Sequence, residues 1–192
     1  MAKRYEFKPD KEHSGLANKL VLTRQQQQKL LKWCLYTLVL LILSVVQDVL
    51  LSRVRLFGVT TELVPCGIFL ICLTEGLERG CIFALIASCL YLFSGSAAGE
   101  YTIVLITAIT VLACYFRQSY LQKGFVASML SSIAAMLCYE MTTFAVALFL
   151  GQTTFSRLGA FFLTGVFSIV AAPLLYPVLK AISTIGGEAW KD

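Results

Sequence analysis

The alternation of polar and apolar positions divides the chain into a polar head and a series of apolar runs. Residues 1–32, "MAKRYEFKPDKEHSGLANKLVLTRQQQQKLLK", are polar and basic, and six apolar segments follow near 33–51, 62–77, 80–93, 101–116, 125–150 and 158–182. A helix crossing a hydrocarbon core of about 30 Å needs roughly 20 predominantly apolar residues. The second and third runs are short for that. They are expected to borrow flanking residues, thin the bilayer locally, or form a re-entrant hairpin covered by protein. The pattern predicts an all-α, polytopic bundle of about six transmembrane helices over 33–183, with a basic cytoplasmic tail at 1–32 and a short cytoplasmic tail at 184–192. Within the head, Leu16, Leu20 and Val21 recur at helical spacing after Ser14, a residue type suited to an N-cap. That spacing predicts a short interfacial helix; the alternative is a solvated tail.

Composition agrees with the pattern. The chain has 192 residues, 58% of them hydrophobic and 14% charged, whereas a soluble domain is about half apolar and a quarter charged. The net charge of +5 does not imply nucleic acid, because eight of the sixteen Lys and Arg lie in the first 32 residues, beside the first apolar run. Basic residues gather on the cytoplasmic side of membrane proteins. With the N-terminus inside, thirteen Lys and Arg fall inside and only Arg53, Arg55 and Arg157 outside. Both termini are therefore expected in the cytoplasm, with 53–62 forming the first outside loop. Seven cysteines lie in or at the edge of the apolar runs without CxxC or Cys/His spacing, so they read as small buried hydrophobes. Neither a cofactor nor a metal site is expected.

Candidate chemistry is sparse. The single histidine, His13, lies in the polar head, which leaves no Ser/His/Asp arrangement inside the bundle. "GSAAG" (95–99) lacks the Lys-Ser/Thr of a phosphate loop, and "GLERG" (76–80), which has GxxxG spacing, reads as loop glycines with a helix start, the alternative being a packing motif. Two acids stand where acids are costly: Asp48 near the outer end of the first run, and Glu140 about fifteen residues into the fifth. Asp48 is expected to cap or pair locally with Ser52 or Arg53. Glu140 has no Lys or Arg at comparable depth, so it is expected to be a protonated, structural acid. Its partners would be hydroxyls such as Ser131, Thr143 or a tyrosine of another span. Pro173 and Pro177, four apart in "AAPLLYPVLK", should kink the last helix. Small residues such as Ala127, Ser131, Ala135, Gly159, Gly165 and Ser168 permit close helix approach.

The loop after the first run carries a resemblance. The stretch "RVRLFGVTTEL" (53–63), led by a polar pair and followed by a second apolar run, resembles the MreD family of bacterial rod-shape-determining membrane proteins, whose loop reads like Arg-Leu-x-Leu-Phe-Gly-Val-x-Pro-Asp-Leu. Arg53, Arg55, Leu56, Phe57, Gly58 and Val59 carry it, with Thr61-Glu62-Leu63 where the family often has Pro-Asp-Leu. Downstream, Leu92, Phe93, Ser94, Gly95 and Gly99 match a family segment in which Asp is common at the place of Tyr91 and Pro at the place of Ala97. "CYE" (138–140) also looks like the family's fifth span. The resemblance covers roughly residues 30 to 183. It implies a non-enzymatic scaffold in the bacterial cytoplasmic membrane that binds the single-span protein MreC. Through MreC it would work with MreB filaments, the polymerase RodA and a class B penicillin-binding transpeptidase in lateral peptidoglycan synthesis. Arg53, Arg55, Phe57 and Gly58 would then contact the partner or lipid headgroups. The family's fold is similar to the S-components of energy-coupling-factor transporters, so a small-molecule (vitamin) binding subunit is the alternative. Against that alternative, the first run, "WCLYTLVLLILSVVQDVLL", contains no alanine for an AxxxA coupling face. An intramembrane enzyme is a third class, and the residues supply no paired nucleophile and base for it.

Overall fold

The computed structural model describes residues 24–51, 59–120 and 124–185, and every regular element among them is helical. Helix α1 (Arg24–Val45) passes into a wider π-helical turn, Val46–Leu51. Then come α2 (Leu63–Glu75), α3 (Leu77–Phe93), α4 (Tyr101–Tyr120), α5 (Phe125–Phe149), a 3-10 turn (Phe155–Arg157), α6 (Leu158–Val170) and α7 (Ala172–Ser183). The expected interfacial helix after Ser14 and the loop residues Arg53, Arg55, Phe57 and Gly58 lie outside the described residues.

The short helix α2 occupies the centre. Its sequence, "LVPCGIFLICLTE", has no polar face before Thr74, and a helix apolar all round must be covered all round. All of its residues but Thr74 are buried, with α1, α3, α5 and α7 packed about it. The outer helices show the opposite pattern. Leu41, Ile82, Val104, Leu112, Val126 and Leu174 are each more than half exposed. Apolar surface on that scale is stable only against lipid or a partner, and the protein is a membrane protein.

Among the described residues, three helices are long and apolar enough to cross a bilayer: Gln26–Val49, Tyr101–Tyr120 and Phe125–Phe149. A fourth crossing is available if α6 and α7, bent by 47° at their junction, count as one broken span. The short second run is fixed more tightly than its length alone implied. With 13 residues at 1.5 Å each, α2 is only about 20 Å long.

Its N-terminus is sunk in the bundle. Residue 62 is not part of an exposed loop: the Glu62 amide donates to Ser168 Oγ at 2.8 Å, and Ser168 lies eleven residues into α6. The end of the expected loop is therefore partly inside: Val59 is buried and Thr61 and Glu62 half-buried, with Thr60 exposed between them. The break in the final run comes at Ala171, with Pro173 in the first turn of α7, where a missing N–H costs nothing, and Pro177 inside the helix.

The two glycines of "GLERG" have separate roles. Gly76, at φ +91°, ends α2 in a conformation that side chains other than glycine rarely adopt. Gly80 lies a turn inside α3, and a Cβ there would stand 2.8 Å from the Cys72 carbonyl oxygen. It is a packing glycine between α2 and α3, not a loop glycine. The Cys72 thiol donates to the Gly80 carbonyl at 3.1 Å across the same contact.

Candidate functional site

Buried Lys32 and Glu75 mark one end of α2, and buried Gln47 and Glu140 the other. The first four amides of a helix have no partner within it, and here each is accounted for. Glu62 donates to Ser168. Leu63 and Val64 both donate to Gln47 Oε1, at 2.8 and 3.1 Å. Pro65 has no N–H. Gln47 reaches this point because the π-helical turn at the end of α1 carries it inward, where it is buried. Its amide nitrogen then faces Tyr91 Oη at 3.4 Å, and Tyr91 donates to the Ser96 carbonyl at 3.3 Å.

Glu140 belongs to the same end. It is the sixteenth residue of α5, 1% exposed, and it packs on α6 at Gly165. A Cβ on that glycine would stand 3.2 Å from Glu140 Cγ. Gly165 and Ser168 are three apart on α6, so they lie on one face of it. One face of α6 thus holds the Glu140 side chain and the Glu62 backbone within a turn of each other, and the two carboxyls act on one another electrostatically. Tyr91 and Tyr139 stand beside the Glu62 carboxyl. The hydroxyls expected as partners do not reach Glu140 Oε1. Among the described residues, Glu140 Oε1, Glu62 Oε2, Tyr139 Oη, Thr143 Oγ1 and Ser131 Oγ are buried without a hydrogen-bond partner. The reason is geometric: the approach of α6 at Gly165 brings a backbone, not a donor, against Glu140.

Asp48 is exposed and lies at the rim of this end. It accepts from Ser96 Oγ at 2.5 Å and Ser44 Oγ at 3.4 Å. The hydroxyl of the α3–α4 loop is thus a partner that the local reading, with Ser52 or Arg53, did not include.

The C-terminal end of α2 is built differently. Lys32 Nζ pairs with Glu75 Oε1 at 2.6 Å, and both side chains are almost wholly buried. Tyr36, one turn on, donates to the same oxygen at 2.6 Å. Trp33, Tyr36 and Phe83 pack around them with ring centroids 5.3 to 6.1 Å apart. Sequence reading placed Lys32 in the polar head and passed over Glu75. One signal was available: Lys32 and Tyr36 are four apart, on one face of a helix entering the membrane.

Between α4 and α5 runs a lateral apolar groove of about 380 Å³, lined by residues that include Ile109, Leu112, Phe116, Tyr120, Leu130 and Ala134. No group of three or more His, Cys, Asp or Glu suited to a metal ion occurs among the described residues. The seven cysteines are free; Cys66, Cys72 and Cys114 are buried, Cys81 and Cys89 half-buried, Cys34 and Cys138 exposed. Comparison with known proteins adds no name: no family model, no curated protein and no solved structure matches the chain.

Proposed function

We propose that this protein is a non-enzymatic membrane scaffold of the bacterial elongation (rod) complex, of the MreD kind. It binds MreC in the cytoplasmic membrane and, through it, joins MreB, RodA and a class B penicillin-binding transpeptidase. Both termini face the cytoplasm, and the six apolar segments cross or re-enter the bilayer. The observation that carries the reading is the spelling "RVRLFGVTTEL" between the first two apolar segments. The fold is compatible with it. Gln47, Ser168, Lys32 and Tyr36 bind the ends of α2, and the groove between α4 and α5 offers apolar surface of the kind a single-span partner can cover. A vitamin-binding subunit needs polar groups that orient its ligand, and that groove is lined almost wholly by apolar surface.

Co-purification with MreC from the same genome tests the reading. The scaffold retains MreC and no vitamin; a stoichiometric vitamin without MreC would replace it by the S-component alternative. The double change Arg53→Ala with Arg55→Ala is expected to lower the yield of MreC, and an unchanged yield would remove the loop from the interface. Single-cysteine labelling at position 58, in a cysteine-free background, is expected in intact cells. Labelling only after the cells are opened would reverse the topology.

A further inference from the structure

We propose that the cluster of buried oxygens at the N-terminus of α2 is a binding site for a monovalent metal cation of the sodium class, held between the carboxyls of Glu62 and Glu140. Glu62 Oε2, Glu140 Oε1, Tyr139 Oη and Thr143 Oγ1 are four buried oxygens without a well-formed hydrogen bond among the described residues. Tyr139 stands close enough to interact with both Glu62 and Thr143, which leaves Glu140 Oε1 without any such neighbour; buried polar atoms in native proteins are nearly always satisfied, so the group points to an occupant. Glu140, Tyr139 and Thr143 are at most 2% exposed. Tyr139 and Glu140 are adjacent on α5, and Thr143 follows a turn later on the same side of the helix. Glu62 reaches them from the start of α2, fixed by its amide bond to Ser168.

The chemistry of the set selects the ligand. Every donor is oxygen, which favours hard cations over zinc or copper. Two acids meet with no basic side chain beside them among the described residues. The partial positive charge at the start of α2 favours an anion there, yet a helix terminus offsets only a small part of the cost of burying two carboxylates. A neutral occupant such as water completes hydrogen bonds but supplies no charge. A small monovalent cation supplies both charge and coordination. The proposal goes beyond the scaffold reading and stands or falls separately from it, since it concerns the interior and not MreC.

The test uses the full chain, purified in detergent and reconstituted in lipid nanodiscs. Sodium chloride is titrated against choline chloride at constant ionic strength, with calorimetry and thermal unfolding as readouts. The expected result is saturable heat with sodium and a midpoint that rises with its concentration, as a ligand of the native state requires. Choline should give neither. Glu140→Gln and Glu62→Gln should each weaken the apparent affinity by about tenfold or more, as expected when a charged partner is lost. The rim change Asp48→Asn should leave the titration as it is. If either glutamine variant fails to fold, the calorimetric titration of the unaltered protein decides. The proposal is overturned if that protein gives no sodium heat, if choline matches sodium, or if the response survives in the double glutamine variant.

Discussion

The two ends of α2 carry the same burden and resolve it in opposite ways. Each end places a glutamate inside an apolar bundle. At Glu75 the acid meets Lys32 and Tyr36 on one oxygen, both at 2.6 Å. The negative charge there lies at a helix C-terminus, which is electrostatically unfavourable, and the lysine from α1 offsets it. At Glu62 the charge lies at the favourable terminus, and the nearest acid, Glu140, adds a second carboxyl instead of a counter-charge. The first end is closed, and the second has donors to spare. Burial of an acid is therefore not in itself a mark of function; the state of its partners is.

The largest effect is expected from unbalancing the closed end. Lys32→Met leaves Glu75 buried without its cation and should destabilise the fold by about 3–5 kcal/mol, as when one partner of a buried pair is removed. Adding Glu75→Leu to Lys32→Met should recover most of the loss. Unfolding by denaturing detergent in mixed micelles measures both, and a double variant no better than the single would mean that Lys32 acts by packing alone.

Next comes the amide cap of the open end. Gln47→Leu leaves the Leu63 and Val64 amides buried without an acceptor and should cost about 1–3 kcal/mol. Because those amides sit at the start of the central helix, hydrogen exchange should quicken there before it does at Glu75. Equal quickening at both ends would show that α2 responds as one unit.

Glu140 gives a smaller effect of a different sign. Its Oε1 makes no hydrogen bond among the described residues, so in sodium-free buffer Glu140→Leu should be within about 1 kcal/mol of the parent, or more stable, as when buried charges are replaced by apolar groups of similar size. The same unfolding assay checks it, and a loss as large as that of Lys32→Met would erase the contrast between the ends. The smallest effect belongs to the rim. Asp48 is exposed, and Asp48→Asn should shift stability by less than about 1 kcal/mol.

How far the site was legible can be argued residue by residue. Glu140 was visible as an acid deep in an apolar run, because the cost of such a residue does not depend on the fold. Glu75 and Lys32 were not, because each stands at the end of its run and looks like the start of a loop. Gln47 was read only as half of a polar pair. Its work depends on a π-helical turn that rotates it inward, and no spacing in the chain signals that turn. Glu62 was assigned to the outside loop, since nothing local reveals that the chain turns into the bundle before α2 begins.

The sequence by itself determined the membrane character, the helical class and the approximate extent of the apolar segments. It also determined that α2 must be covered on all sides, since "LVPCGIFLIC" has no polar face to turn outward. These follow from hydrophobic burial, which depends on composition and period and needs no knowledge of neighbours. Only the tertiary structure decided which acids are paired. Lys32 and Glu75 are 43 residues apart, and Glu62 and Ser168 are 106 apart. Such pairings are set by how helices cross: at Gly80 a methyl group would not fit against the Cys72 backbone, and at Gly165 one would have to push the Glu140 and Leu137 side chains aside.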